Sequence, residues 1–335
     1  MDETTEQTEQ KTIPFNNLYL ISGLVHGLNK SWMYMFTMLL LVFGYLLFQS
    51  AAVYPLAEVL SQHGISIKDI SENPNLLFDA NALHMDRNVV LLIEFGMFVF
   101  GFIGFYLGLR YIHQKTITSV LTGYEKFRFK RFWFAFATWG LMVGVSVLAE
   151  YFLNPGNLEL QSTPLNGESG FHFNTTGFII SIVIMLVMMP VQTGLEEVIF
   201  RGYLVQGLSQ VFKNGFIPLI ITSLLFGMAH MSNPEVRAYG WPIMLTYFCS
   251  FALFMGALTL LDEGLELAFG IHFANNIMSS ILVSSPNSVI KTYSIFEAKH
   301  EDPYAEIWSW LVMAAITFLI FWLKYRWKNF SLILK

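Results

Sequence analysis

A chain of 335 residues that is 54% hydrophobic and only 13% charged, with a mean hydropathy of +0.52, is far more apolar than an ordinary soluble domain and has the composition of an integral membrane protein. Its formal net charge of −5 leaves no basic face extensive enough for nucleic acid. The single cysteine, Cys249, excludes an internal disulfide and, lying in an apolar run, reads as a small buried hydrophobe.

Residues 1–14 carry Asp2, Glu3, Glu6 and Glu9 and no apolar core followed by a cleavage site, so they read as a disordered tail rather than a signal peptide. Residues 15–28 read as a weakly amphipathic helix lying on the membrane surface. Beyond them, eight stretches approach the length of about 20 apolar residues that crosses a hydrocarbon core: 32–54, 89–111, 132–152, 176–199, 216–231, 242–261, 265–283 and 307–325. The fold class expected is all-α, a polytopic membrane helix bundle with about eight transmembrane helices. Its parts are the tail and surface helix (1–31), three N-terminal spans with their loops (32–175), a core of four spans (176–285), and a loop, last span and basic end (286–335).

With that many spans, fourteen of the nineteen Lys and Arg residues fall on the side that holds both chain ends, which predicts cytoplasmic termini. The strip KFRFKRFWFAF at 126–136, directly before a span, is expected to anchor the protein at cytoplasmic head groups, with membrane lipids rather than nucleic acid as its partner. Turn residues mark aqueous connections at Asn154–Gly156, Asn233–Pro234 and Pro286–Asn287. No internal repeat is visible, which weighs against a transporter of duplicated halves.

The polar residues of the second half are unusual. An ionisable side chain at bilayer depth costs about 2.5–3.5 kcal/mol and is generally kept for a pathway, a switch or chemistry. In GLEEVIFRGYL, Glu197 and Arg201 are four apart and face each other as an ion pair, while Glu196 points about 100° away with no partner in its own turn. FGMAH sets Phe226 and His230 on one helical face, and HFANN sets His272 and Asn276 on another with Asn275 turned off it. The other histidines, at 26, 63, 84, 113, 172 and 300, fall in the tail, loops or helix ends, where solvated or interfacial roles are the default. Each feature has a plain reading, a histidine or asparagine that glues helices, or a self-neutralising ion pair. Their coincidence on three spans of so apolar a chain favours a site.

The motifs Glu-Glu-x-x-x-Arg at 196–201, Phe-x-x-x-His at 226–230 and His-x-x-x-Asn at 272–276 resemble, in this order, those of the CAAX prenyl endopeptidases and their bacterial relatives, the CPBP or Abi intramembrane proteases; the resemblance covers about residues 176–285. It implies a bacterial multi-pass cell-membrane endopeptidase that hydrolyses a peptide bond of a membrane-associated peptide or protein near the cytoplasmic face. It further implies that Glu196 and His230 activate water and that His272 and Asn276 stabilise the oxyanion, with Glu197, Arg201 and Phe226 supporting. A metal-free reaction with no cofactor is preferred; the alternative is a metalloendopeptidase whose divalent ion, such as zinc, is held by Glu196, His230 and His272, although no His-Glu-x-x-His pair is present. Two other functions stay open, a non-catalytic bacteriocin self-immunity or partner-sequestering protein, and a proton-coupled transporter. At 1.5 Å per residue the histidines lie about 10 and 20 Å in from the cytoplasmic side while Glu196 sits near its edge. The residues meet if the fourth helix runs on toward Gln210, with Gly202 and Gly207 permitting close packing, and the expected site is a cavity in the cytoplasmic half of the membrane.

Overall fold

The computed structural model describes residues 14–162, 171–328 and 330–333. The expected tail lies almost wholly outside them. In chain order the elements are α1 (Leu18–Val25), α2 (Ser31–Gln62), α3 (Arg87–Ile112), α4 (Phe129–Leu153), β1 (Leu158–Leu160), α5 (Thr175–Phe212), α6 (Phe216–Ala229), α7 (Trp241–Asp262), α8 (Glu266–Leu282), β2 (Val283–Ser284), β3 (Phe296–Ala298) and α9 (Pro303–Tyr325), with short helical turns in the connections. All eight predicted stretches are helical, and the chain is an all-α polytopic bundle. Among the described residues six helices, α2, α3, α4, α5, α7 and α9, are long and apolar enough to cross a membrane. The count of eight is reached only by adding α6 and α8, of 14 and 17 residues. At 1.5 Å per residue these reach about 21 and 26 Å, less than a hydrocarbon core of about 30 Å. Helix α8 buries residues on every face, so its polar side chains meet protein rather than lipid.

Helix α5 does run past Arg201, to Phe212, through a turn of π-helix at Val198–Tyr203. Gly202 and Gly207 let it do so: a Cβ on Gly202 would lie 2.8 Å from Val120 Cγ1, and one on Gly207 would lie 2.5 Å from the Tyr34 ring. Small residues also set the closest helix crossings, as expected where lipid supplies no hydrophobic drive between helices.

Hydrogen bonds sort the connections into two layers. At one end α1, the 113–128 segment and the α7–α8 turn are tied together: Asn17 Nδ2 donates to Leu260 O at 2.8 Å, the Leu18 amide to Glu263 at 2.6 Å, and the Gly123 amide to Glu263 O at 2.9 Å. The segment just after α9 joins them through Trp327, whose Nε1 donates to Asp262 at 3.1 Å. At the opposite end β1 pairs antiparallel with β3, which pairs parallel with β2, and Lys291 meets Asp79 at 2.9 Å.

Three sequence expectations are corrected here. Residues 18–25 form a helix, but Tyr19 and Leu20 are fully buried and Gln206 Nε2 donates to Tyr19 O at 3.0 Å, so α1 is docked into the bundle end instead of lying on the membrane surface. Of the strip's four bases Lys126 and Lys130 are exposed, as are Phe129 and Trp133, but Arg128 grips Glu266 through Nε and Nη2 at 3.0 and 2.7 Å, and Arg131 pairs with Asp262. Such a two-point guanidinium fork fixes geometry as well as charge, so these arginines clamp α4 to the α7–α8 turn rather than reach for head groups. His113 is buried, not interfacial, bridging Leu28 O and the Tyr203 hydroxyl at 2.7 Å each.

Candidate active site

The site forms where α5, α6 and α8 approach one another. Glu197 is fully buried; its Oε1 accepts from His272 Nδ1 at 2.7 Å and lies 3.1 Å from Arg201 Nη1, and the Arg201 guanidinium lies over the Phe226 ring at 4.1 Å. The helical pairing of Glu197 with Arg201 therefore holds across the π turn, and it reaches a second helix through His272. A cation on one side and an imidazole N–H on the other answer the charge at Oε1, while Glu197 Oε2 and the Arg201 Nη atoms are buried without hydrogen-bond partners.

Glu196 points elsewhere. It is 9% exposed, its Oε1 accepts from Gln192 Nε2 at 2.6 Å, and its Oε2 is buried without a hydrogen-bond partner, 3.6 Å from His272 Nε2. The expectation that it has no partner near its own turn is corrected by Gln192, one turn back. Gln192 also accepts from Asn276 Nδ2 at 3.3 Å, so a single amide links the acid of α5 to the asparagine of α8. Asn275 is not idle: its Oδ1 accepts from Trp139 Nε1 at 3.1 Å and its Nδ2 donates to Asn276 at 3.2 Å, tying α8 to α4.

His230 caps the C-terminus of α6. Its Nδ1 donates to Phe226 O at 2.7 Å, and the ring rests between Phe226 and Phe248 with centroids at 4.3 and 4.7 Å. A carbonyl can only accept, so Nδ1 carries a proton, and a ring in its neutral form presents an Nε2 lone pair.

Glu196, His230, His272, Asn275 and Asn276 all line one cavity of about 590 Å³, which Glu94 of α3 and Glu235 also enter. Sequence reading missed Glu94, Gln192 and Glu235. Glu94 was legible as the one acid inside α3, and Gln192 as a break in an apolar run four residues before Glu196. Glu235, in the turn after α6, accepts from the Val289 amide at 3.1 Å while its Oε2 is buried without a partner, and burial, its main influence, raises its carboxyl above the usual range.

The cavity wall continues through Ser232, Asn233 and Glu235 to Ser288, residues of the layer opposite both described chain ends. The two expectations of cytoplasmic termini and a cytoplasmic cavity therefore cannot hold together. The cause is the continuation of α5, which carries Glu196 about 24 Å up from Phe212, combined with His230 lying at the far end of α6.

The donor types of Glu196, His230 and His272 suit zinc. As placed, however, no three His, Cys, Asp or Glu side chains among the described residues come close enough to hold one ion, although each imidazole, with Nδ1 engaged, keeps Nε2 as a ligating atom. The arrangement does not fit a three-ligand metal centre.

Residues 176–278, which contain every one of these motif residues, match the family model described as type II CAAX prenyl endopeptidase Rce1-like. This segment is an Rce1-like domain. The chain is also similar to "Uncharacterized protein YyaK" of Bacillus subtilis (strain 168), 27% identical over 266 residues that cover 79% of this chain and 82% of that one. No solved structure matches. Over that segment the chain is similar to the CAAX-type peptidases, and its long apolar helices support a multi-pass membrane protein. Its α5, α6 and α8 supply Glu196, His230 and His272, and α2 and α3 complete the cavity from outside the matched segment.

Proposed function

We propose that the protein is an intramembrane endopeptidase in which Glu196 activates water for attack on a peptide carbonyl. The observation that carries this reading is the unpartnered, buried Oε2 of Glu196 beside His272 Nε2 in a cavity that His230 also lines. Glu196 takes one proton from the water, and the His230 lone pair accepts the other O–H and orients it. The hydroxide adds to the carbonyl carbon. In its doubly protonated form His272 donates Nδ1–H to Glu197 and presents Nε2–H to the developing oxyanion, with the Asn276 amide as second donor. Collapse breaks the C–N bond, and the proton held by Glu196 passes to the leaving amine, leaving one acid and one amine from peptide plus water. Glu197 and Arg201 act by holding the His272 ring, and Phe226 by bracing Arg201 and His230.

No step is routed through a metal. The test is cleavage of a library of membrane-proximal peptides by the purified full-length protein with and without a chelator. Cleavage that survives chelation is expected; cleavage lost to the chelator and restored by zinc would overturn the metal-free route, and no cleavage by the folded protein would overturn the peptidase reading.

We take the lysine and arginine asymmetry as deciding orientation, since moving Arg201 from loop to site leaves it intact. Both ends then face the cytoplasm and the cavity draws water from the outer face of a bacterial cell membrane. In a Cys249→Ala background, Ser232→Cys is expected to react with an impermeant maleimide added outside intact cells. Labelling only after the cells are opened would reverse the orientation.

A further inference from the structure

The cavity is unbalanced in charge. Among the described residues its walls hold three carboxylates, Glu94, Glu196 and Glu235, and no Lys or Arg. Glu196 belongs to the chemistry, and Glu235 lies in the connection above. Glu94 stands alone inside the apolar run of α3, about 10 Å from its start at Arg87, with no hydrogen bond or ion pair to any described residue. Lys291, which approaches this layer, is spent on Asp79 at 2.9 Å. An acid at that depth carries an insertion cost of about 2.5–3.5 kcal/mol, and no hydrogen bond or ion pair among the described residues offsets it, since the Lys291 ammonium acts on Glu94 only at a distance. Glu94 packs no helix against another through a hydrogen bond, so helix gluing does not account for it. A second group in the same space makes no hydrogen bond within the protein, the buried Oε2 of Glu196, which lies 3.6 Å from His272 Nε2, and this points to an occupant bringing its own polar atoms.

We infer that Glu94 is a specificity-determining residue that receives the ammonium or guanidinium group of a Lys or Arg side chain flanking the scissile bond, so that the substrates are peptides with a basic residue near the cleavage site. This rests on the peptidase reading and deepens it. The aromatic wall formed by Tyr45 and Phe98 beside Glu94 suits the alkyl stem of such a side chain, with the charge ending on the carboxylate. Excluding bulk water strengthens the pairing, because a charge pair is worth several times more in a cavity than in solvent.

The test uses full-length protein in lipid nanodiscs and peptides acetylated at the N-terminus, so that only a side chain can supply the cation. Peptides are matched with Lys, its uncharged isostere norleucine, or Glu at each position flanking the cleaved bond. At one position the wild type is expected to prefer Lys over norleucine by about tenfold or more in kcat/KM, carried mainly in KM. Glu94→Gln is expected to reduce that ratio to near one, and Glu94→Lys to invert it in favour of the Glu peptide. A gain on the Glu peptide cannot come from misfolding. A Lys preference that survives both substitutions, or no Lys preference in the wild type at any position, overturns the proposal. Should the wild type cleave none of the peptides, the peptidase reading fails by itself. Binding of the same peptides to Glu196→Gln, read by fluorescence anisotropy, then decides Glu94 independently, equal affinity for Lys and norleucine peptides being the contrary result.

Discussion

Glu196→Gln is expected to lower peptide cleavage by about 10³-fold while leaving the protein folded, a loss of about 4 kcal/mol in transition-state stabilisation. The substitution is nearly isosteric and keeps a group for Gln192 to bond, but it removes the proton acceptor. Because Oε2 has no hydrogen-bond partner in the protein, its replacement by an amide breaks no hydrogen bond and alters only the 3.6 Å approach to His272 Nε2, and the effect should fall on kcat rather than on thermal stability. Glu196→Asp keeps the charge and withdraws it by one methylene, and should retain a fraction of the activity. Peptide cleavage rates with a parallel melting curve check both. Full activity in Glu196→Gln would remove Glu196 as the base, and an immunity phenotype that survives it would favour the non-catalytic reading.

The other large effect belongs to the buried pair beneath the site. Arg201→Met deletes the cation that answers Glu197, leaving a fully buried carboxylate with only the His272 N–H, and breaking such a pair typically costs about 3–5 kcal/mol. Thermal unfolding of the purified protein should shift down strongly and activity should be lost with it. The double variant Glu197→Gln, Arg201→Met removes both charges and is expected to recover much of the stability, because a well-packed neutral pair can match a buried ion pair. It should recover little activity, since the carboxylate that fixes the His272 ring is gone. Stability that falls further in the double variant, or activity that returns with it, would contradict the assignment of Glu197 and Arg201 as positioning residues.

How much of this was legible follows from the kind of contact involved. The Glu197–Arg201 pair and the His230–Phe226 and His272–Asn276 spacings are properties of one helix, and the four-residue rule placed them before any fold was known. The Gln192 bridge between Glu196 and Asn276 joins two helices, and no spacing within either shows it. Composition misled at α1 and at Arg128 and Arg131. An apolar face reads alike whether it meets lipid or protein, and a basic strip before a span reads as a head-group anchor until Asp262 and Glu266 arrive from more than a hundred residues away. Length and hydropathy do not distinguish a crossing helix from one ringed by protein, as α8 is. The side of the membrane on which the cavity opens depended on where α5 ends, a property of its π turn and glycine contacts rather than of hydropathy.

The central claim, that Glu196 directs a water onto a peptide carbonyl in this cavity, is tested most directly by running cleavage in ¹⁸O-labelled water and weighing the products. Wild-type protein should place one labelled oxygen in the new carboxyl terminus of the N-terminal fragment, and Glu196→Gln should yield almost no product in the same time. Equal labelled product from both proteins would contradict the account.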